Sequence, residues 1–336
     1  MAGNRILTVS LNPSLDLTCE VDRFVFGDIC RVRGRQVHPG GKGLNVCRMV
    51  ARLGVRCRAV AFLGGRTGGE VARLLRREGV SFAAVPVRGE TRTIHNFTER
   101  CGPRVLRINE PGPRVSRSEW RSFLCVLRRQ AVASGGIACL SGSVPAGLPV
   151  SSYRTLIRIL KNTSSLVALD ADGACVRSAL AARPHLIKPN LWELERIVGC
   201  RLRSASAIQS ACVNLQRAGV AMVLLTLGEN GAILFSSDGI LCAVPPRVKG
   251  RCPVGCGDAF LAGFLVGISE GRALDACLGL AAACGAAKAR LPGTEMPDAA
   301  AVASLLPRVR TASVRKVPAE MVSRLQERAP GACHFA

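Results

Sequence analysis

Cys252-Pro-Val-Gly-Cys-Gly-Asp-Ala-Phe-Leu-Ala-Gly-Phe-Leu-Val-Gly-Ile268 is the stretch on which the reading of this chain turns. Gly255 and Gly257 flank one small residue, Asp258 follows at once, and the apolar run 259–268 follows that. A run of that length, bounded by polar residues, is too short to cross a bilayer and predicts a buried helix. The glycines then stand at a helix N-terminus. There, unpaired N–H groups and the macrodipole attract an anion, and missing side chains let an oxyanion come close. With Asp258 at its mouth, such a cradle suits phosphoryl transfer to a hydroxyl, the carboxylate acting as base. The same residues equally suit a turn whose aspartate caps a helix. No glycine follows three residues after Gly257, so this is not a dinucleotide-binding fingerprint.

The rest of the chain decides between the two. Arg5–Leu11 reads as a buried strand and runs into Asn12-Pro-Ser-Leu-Asp16. Further strands are predicted at 58–63, before Gly64-Gly65; at 137–140, before Ser141-Gly-Ser; and at 166–169, before Asp170. Two more lead into Lys188-Pro-Asn190 and Gly228-Glu-Asn-Gly231, with helical segments between them. This alternation predicts an α/β protein with a doubly wound, mostly parallel sheet. Short alternating runs at about 12–38 and 88–112 break the rhythm and predict a small second sheet. Polar residues repeatedly follow strand C-termini, where open α/β sheets bind ligands. His38-Pro-Gly-Gly-Lys-Gly-Leu-Asn45 gathers backbone N–H groups and Lys42 at a point suited to an anionic or polyhydroxyl ligand. It is not a Walker A loop, because Gly43 follows Lys42. Asn190 and Glu193 have capping-box spacing, and spacing alone favours the cap over a pair that positions phosphate or Mg²⁺-bound water.

Composition narrows the class. The chain has 336 residues, 48% of them hydrophobic, which predicts a globular protein with a substantial core. The 46 Lys+Arg against 23 Asp+Glu give +23, but the arginines are dispersed and aromatics make up only 4%. With no stacking platform, specific nucleic-acid binding is not expected. The 16 cysteines form no Cys-x-x-Cys pair and the four histidines are scattered, which argues against zinc and for cysteines acting as small buried hydrophobes. There is no signal-peptide core and no apolar stretch of membrane length, so a soluble cytoplasmic protein without membrane partners is expected. The basic segment 311–336 is read as a tail.

Taken in order, Leu11-Asn-Pro-Ser-Leu-Asp16, Gly40-Gly-Lys-Gly-Leu-Asn45, Ser141-Gly-Ser, Lys188-Pro-Asn190, Thr226-Leu-Gly and Val254-Gly-Cys-Gly-Asp258 resemble the motifs of the ribokinase-like (PfkB) carbohydrate kinases. Leu11-Asn-Pro and Asn109-Glu-Pro-Gly-Pro113 point to the 1-phosphofructokinase and tagatose-6-phosphate kinase branch. Over residues 1–310 the resemblance implies a three-layer α/β/α domain of about nine strands with a β-sheet lid. It further implies use of ATP and Mg²⁺, and a homodimer formed through the lid. It makes Asp258 the general base and the N–H groups of Gly255, Cys256 and Gly257 the anion hole. Asp16, Gly41, Lys42 and Asn45 would hold the sugar, Arg92 and Lys42 its existing phosphate, and Ser141 a further contact. Lys188, Asn190, Thr226, Gly228 and Gly231 would line the ATP side, with Glu193 organising Mg²⁺ through water. The implied acceptor is fructose 1-phosphate at O6, with tagatose 6-phosphate or fructose 6-phosphate as alternatives.

The chain departs from the family pattern in four places. Cys256 and Ala259 stand where alanine and serine are usual, Pro253 removes an N–H where threonine is common, and Ile94 stands where many relatives have asparagine. A thiol at a helix N-terminus is expected to have a lowered pKa and hence redox sensitivity. The altered loop also raises a reading from another class, an inactive sugar-phosphate-binding regulatory protein. Retention of Asp258, Lys42 and both loop glycines argues against it.

Overall fold

The first apolar run of the chain becomes the middle of the molecule. In the computed structural model, which describes residues 6–326 except 103 and 135, β1 (Ile6–Ser10) is buried along its whole length. The chain then leaves for a small sheet, β2 (Ser14–Val21) and β3 (Val32–Gly40), and returns through α1 (Lys42–Arg52), β4 (Cys57–Leu63), α2 (Gly65–Arg77) and β5 (Ser81–Pro86). A second excursion, β6 (Arg92–Glu99) and β7 (Val105–Asn109), completes the small sheet in the order β3-β2-β6-β7. The rest of the parallel sheet follows as α3 (Arg117–Ser134), β8 (Ile137–Ser141), α4 (Ser152–Leu160), β9 (Leu166–Asp170), α5 (Ala174–Leu180), β10 (Leu186–Ile187), α6 (Leu191–Val198), α7 (Ala205–Arg217) and β11 (Met222–Thr226). An antiparallel edge closes it: β12 (Ala232–Ser236), β13 (Gly239–Val244), then α8 (Cys256–Ser269), α9 (Leu274–Ala289), α10 (Ala299–Leu305), β14 (Arg310–Val314) and α11 (Ala319–Gln326).

The large sheet has ten strands in the order β14-β13-β12-β11-β10-β9-β8-β1-β4-β5, parallel from β5 to β11. Runs such as ILTVS, IACLS and LVALD are apolar without alternation because both faces are covered by helices. This is the three-layer α/β/α arrangement with a separate small sheet that the resemblance implies. The tenth strand comes from residues that read as tail. β14 pairs antiparallel with β13 from Ile240↔Val314 to Val244↔Arg310, and Val317, Met321 and Val322 are buried behind it. Residues 327–336 of that segment lie outside the described residues. Among the described residues no helix is long and apolar enough to cross a membrane.

The opening stretch is the buried helix its sequence predicts. Asp258 through Gly267 are all buried, and α8 packs lengthwise on the Ala-rich α9. Two glycines permit the close approach. A Cβ at Gly263 would lie 2.7 Å from Cys284 Sγ and 3.0 Å from Ala281 Cα, and one at Gly267 would lie 2.9 Å from Cys277 Cα. Overpacking of this kind costs about 1–3 kcal/mol. Gly69 is exposed within α2, and a Cβ there would meet nothing within 4 Å, so alanine at that position gains helix propensity. Gly263→Ala should therefore lower the thermal midpoint by several degrees and Gly69→Ala should raise it slightly. Calorimetry of the two variants beside the wild type checks the opposite signs.

Candidate active site

At the point where β1 sits between β8 and β4, the chain progresses in opposite directions along the sheet, the place at which open α/β sheets form a ligand crevice. Ser141 ends β8, Asp170 ends β9, Lys188 follows β10 and Thr226 ends β11, so these residues share the C-terminal edge. α1, α6 and α8 begin at the same edge and bring Lys42, Glu193 and Asp258 to it.

The charged groups form one cluster. Asp170 is 1% exposed, with Lys42 Nζ 2.9 Å from one carboxylate oxygen and Lys188 Nζ 3.3 Å from the other. Lys42 Nζ also reaches Glu193 Oε1 at 3.2 Å. Burial opposes the charge on Lys42, but Asp170, Glu193 and Asp258 together hold its pKa well above the ordinary lysine value. Burial likewise opposes the charge on Asp170, and the two lysines more than reverse it, leaving that carboxyl below its usual range. Asp258 lies on the other side of this balance. Burial first, and then the negative charge of Asp170, raise its pKa to about 6 against the pull of Lys42 and Lys188. Asn45 Nδ2 donates to Asp258 Oδ2 at 2.8 Å and fixes the carboxylate at the start of α8.

The loop in front of Asp258 turns through Gly255 at φ 81°, a left-handed conformation that favours glycine. Cys256 N–H donates to the Pro253 carbonyl at 3.3 Å. Among the described residues, no acceptor takes the N–H groups of Gly255 or Gly257. Lys188 Nζ lies 3.5 Å from the position of a Cβ on Gly257, so a lysine stands over the loop. The thiol of Cys256 corrects the expectation of redox sensitivity: burial pushes its pKa up to about 12, overriding the helix N-terminus, and its Sγ faces the Cys252 carbonyl at 3.7 Å. The described cysteines are all free thiols.

Asn190 and Glu193 do form the capping box of α6, with Glu193 N–H donating to Asn190 Oδ1 at 2.8 Å and Asn190 N–H to Glu193 Oε2 at 2.9 Å. The cap leaves Oε1 of Glu193 to Lys42, so one carboxylate both ends the helix and joins the charged cluster. Asn190 is bridged to Thr226 on the neighbouring strand, and Gly228 and Gly231 flank the turn that follows. Gly231 has φ 102°, and a Cβ there would collide with the Ala243 carbonyl oxygen.

A second group gathers where the small sheet meets the large one. Asp16 is 3% exposed and accepts from Ser14 Oγ at 2.6 Å; burial raises its pKa, opposed by Ser14, Arg48 and Arg107. Arg92 donates to the Asn12 carbonyl at 3.0 Å and the Glu110 carbonyl at 3.2 Å, and burial lowers its pKa despite the nearby Asp16 and Glu110. Gly41, at φ 96°, opens α1 with any Cβ only 2.8 Å from Pro13 Cα. Gly40 lies against the Asp16 carboxylate. Ser141 is buried beside Cys139, its Oγ 3.2 Å from Cys139 Sγ. Lys42, expected on the sugar side, is thus placed with Asp170 and Glu193, while Asp16 and Arg92 form their own group.

Arg48 joins the two groups and was not singled out from the sequence. Only 2% exposed, it makes a two-pronged pair with Glu78 at 2.6 and 2.8 Å. It also donates to Asn45 Oδ1 at 3.1 Å, the Pro39 carbonyl at 2.9 Å and the Thr294 carbonyl at 2.8 Å. Because Arg48 claims Oδ1 of Asn45, the amide nitrogen is turned toward Asp258. The available signal was a charged residue at a core position of an amphipathic helix. Asp170 was legible only as the end of a strand, and its partnership with both lysines was not.

Residues 9–300 match the pfkB family carbohydrate kinases. A 1-phosphofructokinase of Bacillus subtilis is 33% identical over 305 residues, 91% of this chain and 98% of the relative. One from Rhodobacter capsulatus is 30% identical over 314 residues, 94% of this chain and 98% of the relative. The structure of phosphofructokinase-2 from Escherichia coli in complex with substrates and products aligns with a TM-score of 0.84 at 28% identity, covering 90% of this chain and 99% of that one.

The raised pKa of Asp258 carries a stability consequence with a definite sign. A carboxyl at about 6 when folded and about 3.9 when unfolded binds more protons in the native state between those values. Its charge therefore costs stability that is lost progressively as pH rises from about 4 to about 6 and is missing in full above that. Asp258→Asn should raise the thermal midpoint at pH 7.5, by an amount equivalent to about 1–3 kcal/mol, and the advantage should vanish near pH 4. Thermal unfolding of both proteins across that range tests it.

Proposed function

The chain belongs to the pfkB family of carbohydrate kinases, and from that premise we propose that it transfers the γ-phosphoryl group of ATP to O6 of fructose 1-phosphate, giving the 1,6-bisphosphate. The observation that carries the reading is Asp258, a buried carboxylate lifted to about 6 and held by Asn45 at the mouth of a glycine loop. Such a group is ionised at neutral pH yet basic enough to accept a proton from a hydroxyl as it attacks. The fructose 1-phosphate assignment draws support from relatives named 1-phosphofructokinase that align over most of both chains.

On this reading the N–H groups of Gly255 and Gly257 stabilise charge on the transferring phosphoryl group, with Cys256 contributing less because its N–H is already engaged. Lys188, over the loop, and Lys42, beside Asp170, face the phosphates of ATP. Asn190, Thr226, Gly228 and Gly231 line the nucleotide side, where the tight turn presents backbone rather than side chain. Asp16, Gly41 and Asn45 orient the sugar, with Ser141 adding a contact. Arg92, aided by Arg107 across the small sheet, takes the resident phosphate, a role that Lys42 gives up to its carboxylate partners.

Mg²⁺ entering with ATP would screen the β- and γ-phosphate charge. The donor set suits an ion held mostly by phosphate oxygens and water. Among the described residues no cluster of three or more His, Cys, Asp or Glu side chains is arranged to hold a metal ion, and both oxygens of Glu193 already have protein partners. Glu193 would order that water through lone pairs beyond those it gives to Lys42 and to the Asn190 N–H.

The small sheet serves as the lid in this proposal and as the surface for a second copy of the chain. Val25, Phe26, Ile29 and Val32 are exposed around its first turn, and Leu106 and Ile108 are exposed on its edge strand β7. Phe26→Asp combined with Ile29→Asp should shift the sedimenting species from dimer to monomer at micromolar concentration. An unchanged coefficient would remove the lid as the interface.

ADP release with Mg-ATP, measured in parallel on fructose 1-phosphate, fructose 6-phosphate and tagatose 6-phosphate, tests the activity itself. Turnover is expected on fructose 1-phosphate, with kcat/KM falling tenfold per pH unit below about 6, and Asp258→Asn should reduce kcat by ~10³-fold or more. Preference for a 6-phosphate would reassign the acceptor within the class. A folded wild type that binds a sugar phosphate without releasing ADP would leave the regulatory binding protein as the reading.

A further inference from the structure

Lys288, in the last turn of α9, is fully buried and outside every role assigned above. Its Nζ donates to the Leu291 carbonyl at 3.3 Å, and among the described residues it has no carboxylate within ion-pair distance. Its Cε lies 3.4 Å from the position of a Cβ on Gly255, so the ammonium stem runs directly behind the loop that opens α8. The groups that act on it are the Cys256 and Cys252 thiols, Arg48 and, more weakly, Glu295. The Cys256 thiol, at about 12, is uncharged at neutral pH and offers no compensating anion.

The helix ends sharpen the problem. A cation at the C-terminus of α9 is favourably placed, and capping that helix would be its plainest role. The same cation, however, stands behind the N-terminus of α8, whose positive dipole end repels it. An ammonium fully removed from water without a counter-charge is costly. The Lys288 stem and the helix N-terminus therefore meet at Gly255, and Lys188 stands against Gly257 two residues on. A negative charge arriving in the loop would offset that grouping of positive charge.

We propose that Lys288 is a positioning residue for phosphoryl transfer: its stem, packed against Gly255, backs the loop in its turn, and its ammonium, held by the Leu291 carbonyl, adds a fixed positive charge behind the place where phosphoryl charge develops. This rests on the reading of 255–257 as the anion loop. The ammonium does not touch substrate; it acts through the loop, and its contribution grows as negative charge accumulates on the transferring group.

Lys288→Met keeps the unbranched stem as far as Cε and removes the charged ammonium. A lysine that only caps α9 or fills space would leave kcat unchanged in this variant. The proposal expects the opposite pairing: a thermal midpoint equal to or above wild type, because an unpaired buried charge is gone, together with kcat at least tenfold lower and KM for the sugar phosphate changed less than threefold. Lys288→Ala, which leaves room, should recover part of its kcat in tens of millimolar ammonium or methylammonium chloride and not in sodium chloride of equal ionic strength. Wild-type kcat in Lys288→Met beside an active wild type overturns the proposal alone. A wild type that neither turns over nor is stabilised by ADP with aluminium fluoride removes the anion-loop reading and the proposal with it.

Discussion

Asp170 is the group on which the site depends. A carboxylate 1% exposed at the end of a central strand needs compensation, and the fold supplies it from two directions: Lys42 at the head of α1 and Lys188 beyond β10. Removing Asp170 would strand the buried ammonium of Lys188, and breaking a buried pair in that way costs about 3–5 kcal/mol. The interaction therefore locks three separate strand-to-helix junctions into one geometry. It also does chemistry at a distance. The charge it fixes near Asp258 is one of the two causes that make that carboxylate basic, while the lysines that neutralise it form a positive well beside the glycine loop. One ion-pair triad sets the basicity of one residue and the anion affinity of its surroundings.

How far the site could be read from the sequence depended on how far apart its partners are. The glycine loop, the capping box of Asn190 and Glu193, and the strand-end polar residues declare themselves because their chemistry lies within a few residues. The Lys42–Asp170 contact spans 128 positions and the Arg48–Thr294 contact 246, and no local pattern announces either. For Cys256 a local rule gave the wrong direction: a helix N-terminus favours thiolate, but tertiary burial outweighs it. The alternation of strands and helices was legible because both faces of the sheet are covered and its strands are uniformly apolar. β14 was not, because its sequence RTASV is polar and largely exposed and becomes a strand only by pairing with β13.

Arg48 shows how the two halves of the crevice are kept in register. The same guanidinium grips the Pro39 carbonyl at the root of the small sheet, the amide that holds Asp258, and a carbonyl beyond α9, while its charge also reaches Asp16. The end of the small sheet nearest the site thus shares its anchor with the base. Glu78 from the end of α2 balances the charge, so the arrangement also ties in the neighbouring helix on the same face of the sheet.

The position of β1 bears on how the chain comes to be folded at all. This first strand lies between β4 and β8, with Ile6 beside Cys57 on one side and Ile137 on the other, so during synthesis one of its edges waits for well over a third of the chain. The opposite rim of the sheet is completed later still, by β14. Pairings of such separation form slowly and leave strand edges uncovered meanwhile. The helix that carries Asp258 emerges before the strand that finishes the sheet, and the nascent protein holds its reactive carboxylate in an incomplete scaffold until β14 has left the ribosome.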